Sequence, residues 1–149
     1  MKKNNRMKLI FSSLLLIILS LGMASCAKKA TASNPQTLTG IVTDVHCFVK
    51  KPDPTLDSKK CLQMPACAAT GFGLAVMQSD KTYKFYFLDG EFAPSETGAQ
   101  ETVAKLIDNS TKTDHFYFTV TGTLTGETIT ADGKSYPVLK VSEISESDG

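Results

Sequence analysis

The segment "HFYFTVTGTL" (115–124) sorts its residues to two sides. Phe116, Phe118, Val120 and Leu124 fall on one, and Tyr117, Thr119, Thr121 and Thr123 on the other. A period of two is the pattern of a strand buried on one face. "KTYKFYFLD" (81–89) repeats it, with Tyr83, Phe85 and Phe87 alternating with Lys84 and Tyr86. "TLTGIVTDVHCF" (37–48) carries the β-branched Ile41, Val42 and Val45, and "GFGLAVMQ" (71–78) and "YPVLKVSEI" (136–144) supply two further runs. Branched and aromatic residues fit a pleated, half-buried surface. "SDK" between the second and third runs suits a hairpin, and Asp132-Gly133 marks a turn before the last.

The period changes once. In "TGAQETVAKLIDN" (97–109), Val103, Leu106 and Ile107 fall at i, i+3 and i+4, which is one apolar stripe of a helix. Thr97 followed by Gln100 has the form of a capping box, and Asn109 is a stop. The pattern therefore predicts a helix over about 98–108.

Strand, strand, strand, helix, strand, strand is the element order of an OB-fold. The expected class is mainly β, a five-stranded OB-like Greek-key barrel with one helix between strands 3 and 4. A small open sheet packed by one helix is the rival. Fold of this kind carries no function by itself.

The first 26 residues follow a different logic. "MKKNNRMK" is basic through Lys2, Lys3, Arg6 and Lys8, and "LIFSSLLLIILSLGMA" has no charge. A basic region, an apolar run and small residues are the parts of an export signal. "MASC" ends it, with Ala24 and Ser25 directly before Cys26. This resembles the bacterial lipoprotein signal, with Met23 where leucine is commonest. The resemblance implies cleavage before Cys26 and lipidation of Cys26 by a diacylglyceryl thioether and an amide-linked acyl chain. Several acyl chains anchor firmly, at about 0.8 kcal/mol per buried CH₂. The expected organisation is a signal at 1–25, a polar tether at 26–37 ("AKKATASNPQT" follows Cys26) and one domain at 38–149. The expected location is the extracytoplasmic face of a cell membrane or outer membrane.

Removing the signal alters the charge. The chain has 16 basic and 15 acidic residues, and without the four in the signal the balance is 12 to 15, a net of −3. No basic face is apparent, so nucleic acid is not an expected partner.

The remaining chemistry is concentrated in "DVHCFVKKPDPTLDSKKCLQMPAC" (44–67), which holds three of the four cysteines and one of the two histidines. It joins the first two strands, and Pro52, Pro54 and Pro65 argue against regular helix through most of it. Few apolar residues are present to pack it, so a covalent or coordinative tie is expected. With Cys26 lipidated, Cys47, Cys61 and Cys67 remain, an odd number in an exported protein. Two readings stay open. Cys47, Cys61, Cys67 and His46 would make a Cys3His metal site for zinc, and Met64 as a further soft ligand would favour Cu(I). Asp44 would be an alternative ligand or would orient His46. The site requires the first strand to end at or before Cys47, because neighbouring strand residues point to opposite faces. Lys50, Lys51, Lys59 and Lys60 would offset the thiolate charge. Alternatively two of the thiols form a disulfide that staples the loop. The chain would then be an envelope module binding a protein or oligosaccharide through exposed Tyr83 or Tyr86 and Tyr117. His115 is expected to be solvated. There is no C-x-x-C pair and no pair of carboxylates placed on one face, so binding is the expected task, not turnover.

The domain also resembles a loose group of small exported bacterial proteins of uncharacterised function. "GIVTDVHC" (40–47), Cys61 and Cys67 before "GFG", and "VTGTL" (120–124) carry the likeness. It implies an OB-like barrel with a cysteine-bearing loop, and no activity.

Overall fold

The computed structural model describes residues 33–92 and 97–148. The signal, Cys26 and most of the tether lie outside the described residues, as do the expectations that rest on them.

Strands β1 (Gln36–Asp44), β2 (Phe72–Met77) and β3 (Tyr83–Asp89) form an antiparallel meander. The short strands β4 (Glu91–Phe92) and β5 (Thr97–Gly98) pair with each other and lead into a helix at Ala99–Asn109. The long hairpin β6 (Tyr117–Ala131) and β7 (Lys134–Glu146) follows. Five strands close into a ring in the order β1-β2-β3-β7-β6. One joint of the ring is parallel, Phe87–Asp89 of β3 lying beside Val138–Lys140 of β7. β6 must bend to pair with β1 on one edge and β7 on the other. The β6–β7 register shifts twice, at Thr121/Gly122 with the extra residue Ser142 in β7, and between Leu124 and Thr128 with the extra residues in β6. Extra residues at such bulges sharpen the bend and twist of a strand.

The ring encloses Val42, Leu74, Tyr86, Leu88, Phe118, Val120, Leu139 and Val141. Val103 and Ile107 of the Ala99–Asn109 helix pack against this core with Phe116 and Leu62. The expected alternation of Phe116, Phe118 and Val120 is observed, all three being buried. β3 differs from expectation by being covered on both faces. Tyr86 and Leu88 join the core, while Phe85 packs outside it with Val45, Phe48, Ala75 and Tyr136. Tyr86 is therefore not an exposed contact residue. Phe48 stacks on Phe85 at 4.8 Å and meets Tyr136 edge-on at 6.1 Å. Gly73 makes this possible, because a Cβ there would lie 2.1 Å from the Phe85 ring.

The Ala99–Asn109 helix starts one residue later than the sequence pattern suggests. Its cap is Gly98, with no side-chain hydrogen bond at the cap. Gln100 reaches the sheet: its Oε1 accepts from Phe72 N at 2.6 Å and its Nε2 donates to Phe72 O and Leu88 O. The side chain thus ties helix to sheet.

The connection from β1 to β2 is the larger correction, because it is mostly helical. It contains α1 (Val45–Lys50), a 3-10 turn at Pro54–Leu56, α2 (Lys59–Leu62) and α3 (Pro65–Ala68); the Ala99–Asn109 helix is α4. Pro54 and Pro65 start helical turns instead of breaking them. A first-turn proline loses no hydrogen bond, since its N–H would have had no partner within the helix. Nor is the loop without anchors. Leu62 is buried against Val103 and Ile107. Lys59 Nζ donates to the carbonyls of Asp108 (2.9 Å) and Ser110 (2.8 Å), and Gln63 Nε2 to Asp108 Oδ1 (2.7 Å). Lys59 therefore satisfies the carbonyl end of α4 rather than facing the thiols.

Candidate metal centre

β1 ends at Asp44, three residues before Cys47, as a shared site requires. Asp44 is fully buried and caps α1, its Oδ1 accepting the amide of Cys47 at 2.9 Å. The plan recurs with a side chain in α2 and with a backbone carbonyl in α3. Ser58 Oγ caps α2 by accepting from Cys61 N at 3.3 Å. In α3 Cys67 N donates to the carbonyl of Met64, the residue before its first turn, at 2.9 Å. Each of the three cysteines is the third residue of a short helix. The three turns converge, so thiols far apart in sequence meet.

The ligand atoms of Asp44, Cys47, Cys61 and Cys67 all lie within 4.8 Å of one another, a grouping that can hold a metal ion. Cys47 Sγ and Cys61 Sγ are 3.4 Å apart, and all three cysteines are free thiols. Around an ion with metal–sulfur bonds of about 2.3 Å, a tetrahedron has edges of about 3.8 Å. The observed spacing brackets that value. Asp44 Oδ2 is buried and has no hydrogen-bond partner among the described residues. A buried carboxylate oxygen without a partner is costly, and natural proteins seldom leave one so. An ion at the centre of the group would satisfy it.

Without an ion, the surroundings of Cys47 and Cys67 oppose loss of the thiol proton. Burial, then the neighbouring Asp44 and Cys61, pushes the Cys47 thiol far above its ordinary value. Burial and the charge of Asp44 push Cys67 in the same direction. A bound cation inverts this logic, because it stabilises the thiolate more than the carboxylates oppose it. Asp57 stands nearby and accepts a hydrogen bond from the buried Thr43 hydroxyl. Burial raises its carboxyl, the Thr43 bond partly offsets that, and Asp44 adds to the rise. Thr70 Oγ1 supports the loop from the far side, 2.7 Å from the Cys67 carbonyl and 3.3 Å from Asp44 Oδ1.

Of the residues expected at the site, Cys47, Cys61, Cys67 and Asp44 are brought together. His46 is not in the group. The chain turns helical at Val45, so His46 sits about 100° around the axis from Cys47. It is exposed, and its imidazole lines a cavity of about 300 Å³ over the cluster. Met64 lines the same cavity and is 44% exposed. Lys50 and Lys51 also line it, with Asp53 and Asp57. His115 is exposed and pairs with Asp114 at 2.8 Å. The regular placement of the cysteines had a sequence signal in Asp44-x-x-Cys47 and Ser58-x-x-Cys61, each a capping residue three positions before a thiol.

Comparison with known proteins gives no matching family model, no matching curated protein and no matching solved structure.

Proposed function

We propose that this chain is a lipid-anchored extracytoplasmic protein that binds a zinc-class metal ion through Asp44, Cys47, Cys61 and Cys67. The observation that carries the reading is the grouping of three free thiols with the carboxylate of buried Asp44, whose Oδ2 has no hydrogen-bond partner among the described residues. Three thiolates select a thiophilic metal, and the carboxylate adds a harder oxygen donor. Four anionic donors favour a dication over Cu(I), which would leave the site more negative. The ion is bound as thiol protons leave for solvent, so affinity rises with pH. The anchor rests on "MASC" and the apolar run before it. The ring order, counted over the five long strands as 1-2-3-5-4 with the helix after the third, supports an OB-type barrel as the scaffold.

A second reading has one observation in its favour, the 3.4 Å approach of Cys47 and Cys61 sulfurs. In an oxidising envelope the pair would lose two electrons and two protons to an external disulfide and form a staple. The chain would then be an envelope module binding a protein or oligosaccharide. The experiment separates the two. The full chain is purified without oxygen, its thiols are titrated, and bound zinc, copper and iron are measured. Zinc bound in proportion to protein, with Cys47, Cys61 and Cys67 protected until it is chelated, supports the metal reading. A disulfide in the purified chain, with no metal taken up after reduction and reloading, refutes it.

A further inference from the structure

This cluster lies at the floor of a cavity of about 300 Å³, so an ion held there can be reached from outside. Cys47 and Cys67 reach that floor, and His46 and Met64 line its walls. Neither the His46 imidazole nor the Met64 thioether has a side-chain partner among the described residues. Both are donors for thiophilic ions, one borderline and one soft. Charge does not select an ion at this mouth, because Lys50 and Lys51 stand against Asp53 and Asp57. Apolar exposure is concentrated here as well. Among the described residues the exposed large hydrophobic side chains are Leu56, Met64 and Met77, and the first two border this cavity. The two lysines and two aspartates balance in charge, so selection falls to the imidazole and the thioether.

We infer that His46 and Met64 form an intake site that takes a thiophilic dication from solution and hands it to Cys47 and Cys67. The cluster then exchanges its metal as cargo instead of keeping it as a fixed structural ion. The inference rests on the metal reading above. The transfer is a ligand exchange without electron transfer. Bonds from the ion to imidazole nitrogen and thioether sulfur break as bonds to thiolate sulfur form, and each thiol proton passes to water. Because the intake ligands hold the ion only in passing, they alter the rates of binding and release by one common factor and leave the equilibrium unchanged.

The test uses the full chain loaded with zinc, and stopped-flow transfer of the metal to an excess of a chromogenic chelator. His46→Gln and Met64→Leu keep side-chain size while removing the donors, and both positions are exposed, so folding is spared. The double variant is expected to load and release zinc about tenfold more slowly, a barrier about 1.4 kcal/mol higher, with wild-type Kd. Wild-type rates in the double variant overturn the inference. So does a weakened Kd with altered release alone, which would make His46 or Met64 a permanent ligand. If the wild-type chain binds no zinc, the underlying metal reading fails instead, and the inference with it.

Discussion

Asp44→Asn separates the two jobs of one side chain. Oδ1 caps α1, Oδ2 is buried without a partner among the described residues, and the carboxylate stands within 4.8 Å of the thiol sulfurs. Asparagine caps about as well as aspartate, so the cap survives. In the metal-free protein the change replaces the unpartnered oxygen by an uncharged amide NH₂ that can donate to a thiol sulfur, where an isolated buried polar atom costs about 1–3 kcal/mol and more when charged. The apo fold should therefore hold its stability or gain about 1 kcal/mol. With metal the sign reverses. A structural zinc contributes about 10–16 kcal/mol through four ligands, so one anionic ligand accounts for about 2.5–4 kcal/mol. Loss of that donor should raise Kd by about 100- to 1,000-fold. The assay is urea denaturation of reduced, metal-free protein together with zinc titration against a competing chelator. A variant that loses apo stability by more than about 1 kcal/mol while keeping wild-type zinc affinity would refute the reasoning, because Asp44 would then be only a cap.

Three further outcomes are expected. Phe48→Ala should destabilise the fold by about 3–5 kcal/mol by opening the Phe48–Phe85–Tyr136 stack, and should weaken zinc binding because α1 carries Cys47; chemical denaturation and zinc titration measure both. The metal-free fold should lose stability as pH rises above the ordinary thiol value of 9.0, since Cys47 and Cys67 release their protons less readily folded than unfolded; denaturation midpoints across that range report it, and a flat profile would contradict the assigned burial. Cys26→Ser should abolish incorporation of labelled fatty acid, and a variant that still incorporates label would refute the lipoprotein reading.

The ring strands were legible because both hydrophobic period and branched residues mark them. Phe116, Phe118 and Val120 alternate with threonines and are buried as the period requires. The helical connection was less legible, for a local reason. Its helices have four to six residues, too few to show a period, and their starts are set by Asp44, Ser58 and Pro65 rather than by apolar spacing. Proline read as a breaker is here a first-turn residue. The three thiols were found from their number alone. The group gathers Asp44, the alternative ligand, and not His46, because β1 stops at Asp44 and the helix rotates His46 away. Tyr86 was misjudged because alternation does not say which face is inward when a second layer, here Phe48 of α1, covers the other side.

X-ray absorption at the zinc edge, on the full chain loaded with one equivalent of zinc, tests the account most directly. The account predicts a shell of three sulfurs at about 2.3 Å and one oxygen at about 2.0–2.2 Å. A shell of oxygen and nitrogen with no sulfur, or one with histidine in place of the carboxylate, would contradict it.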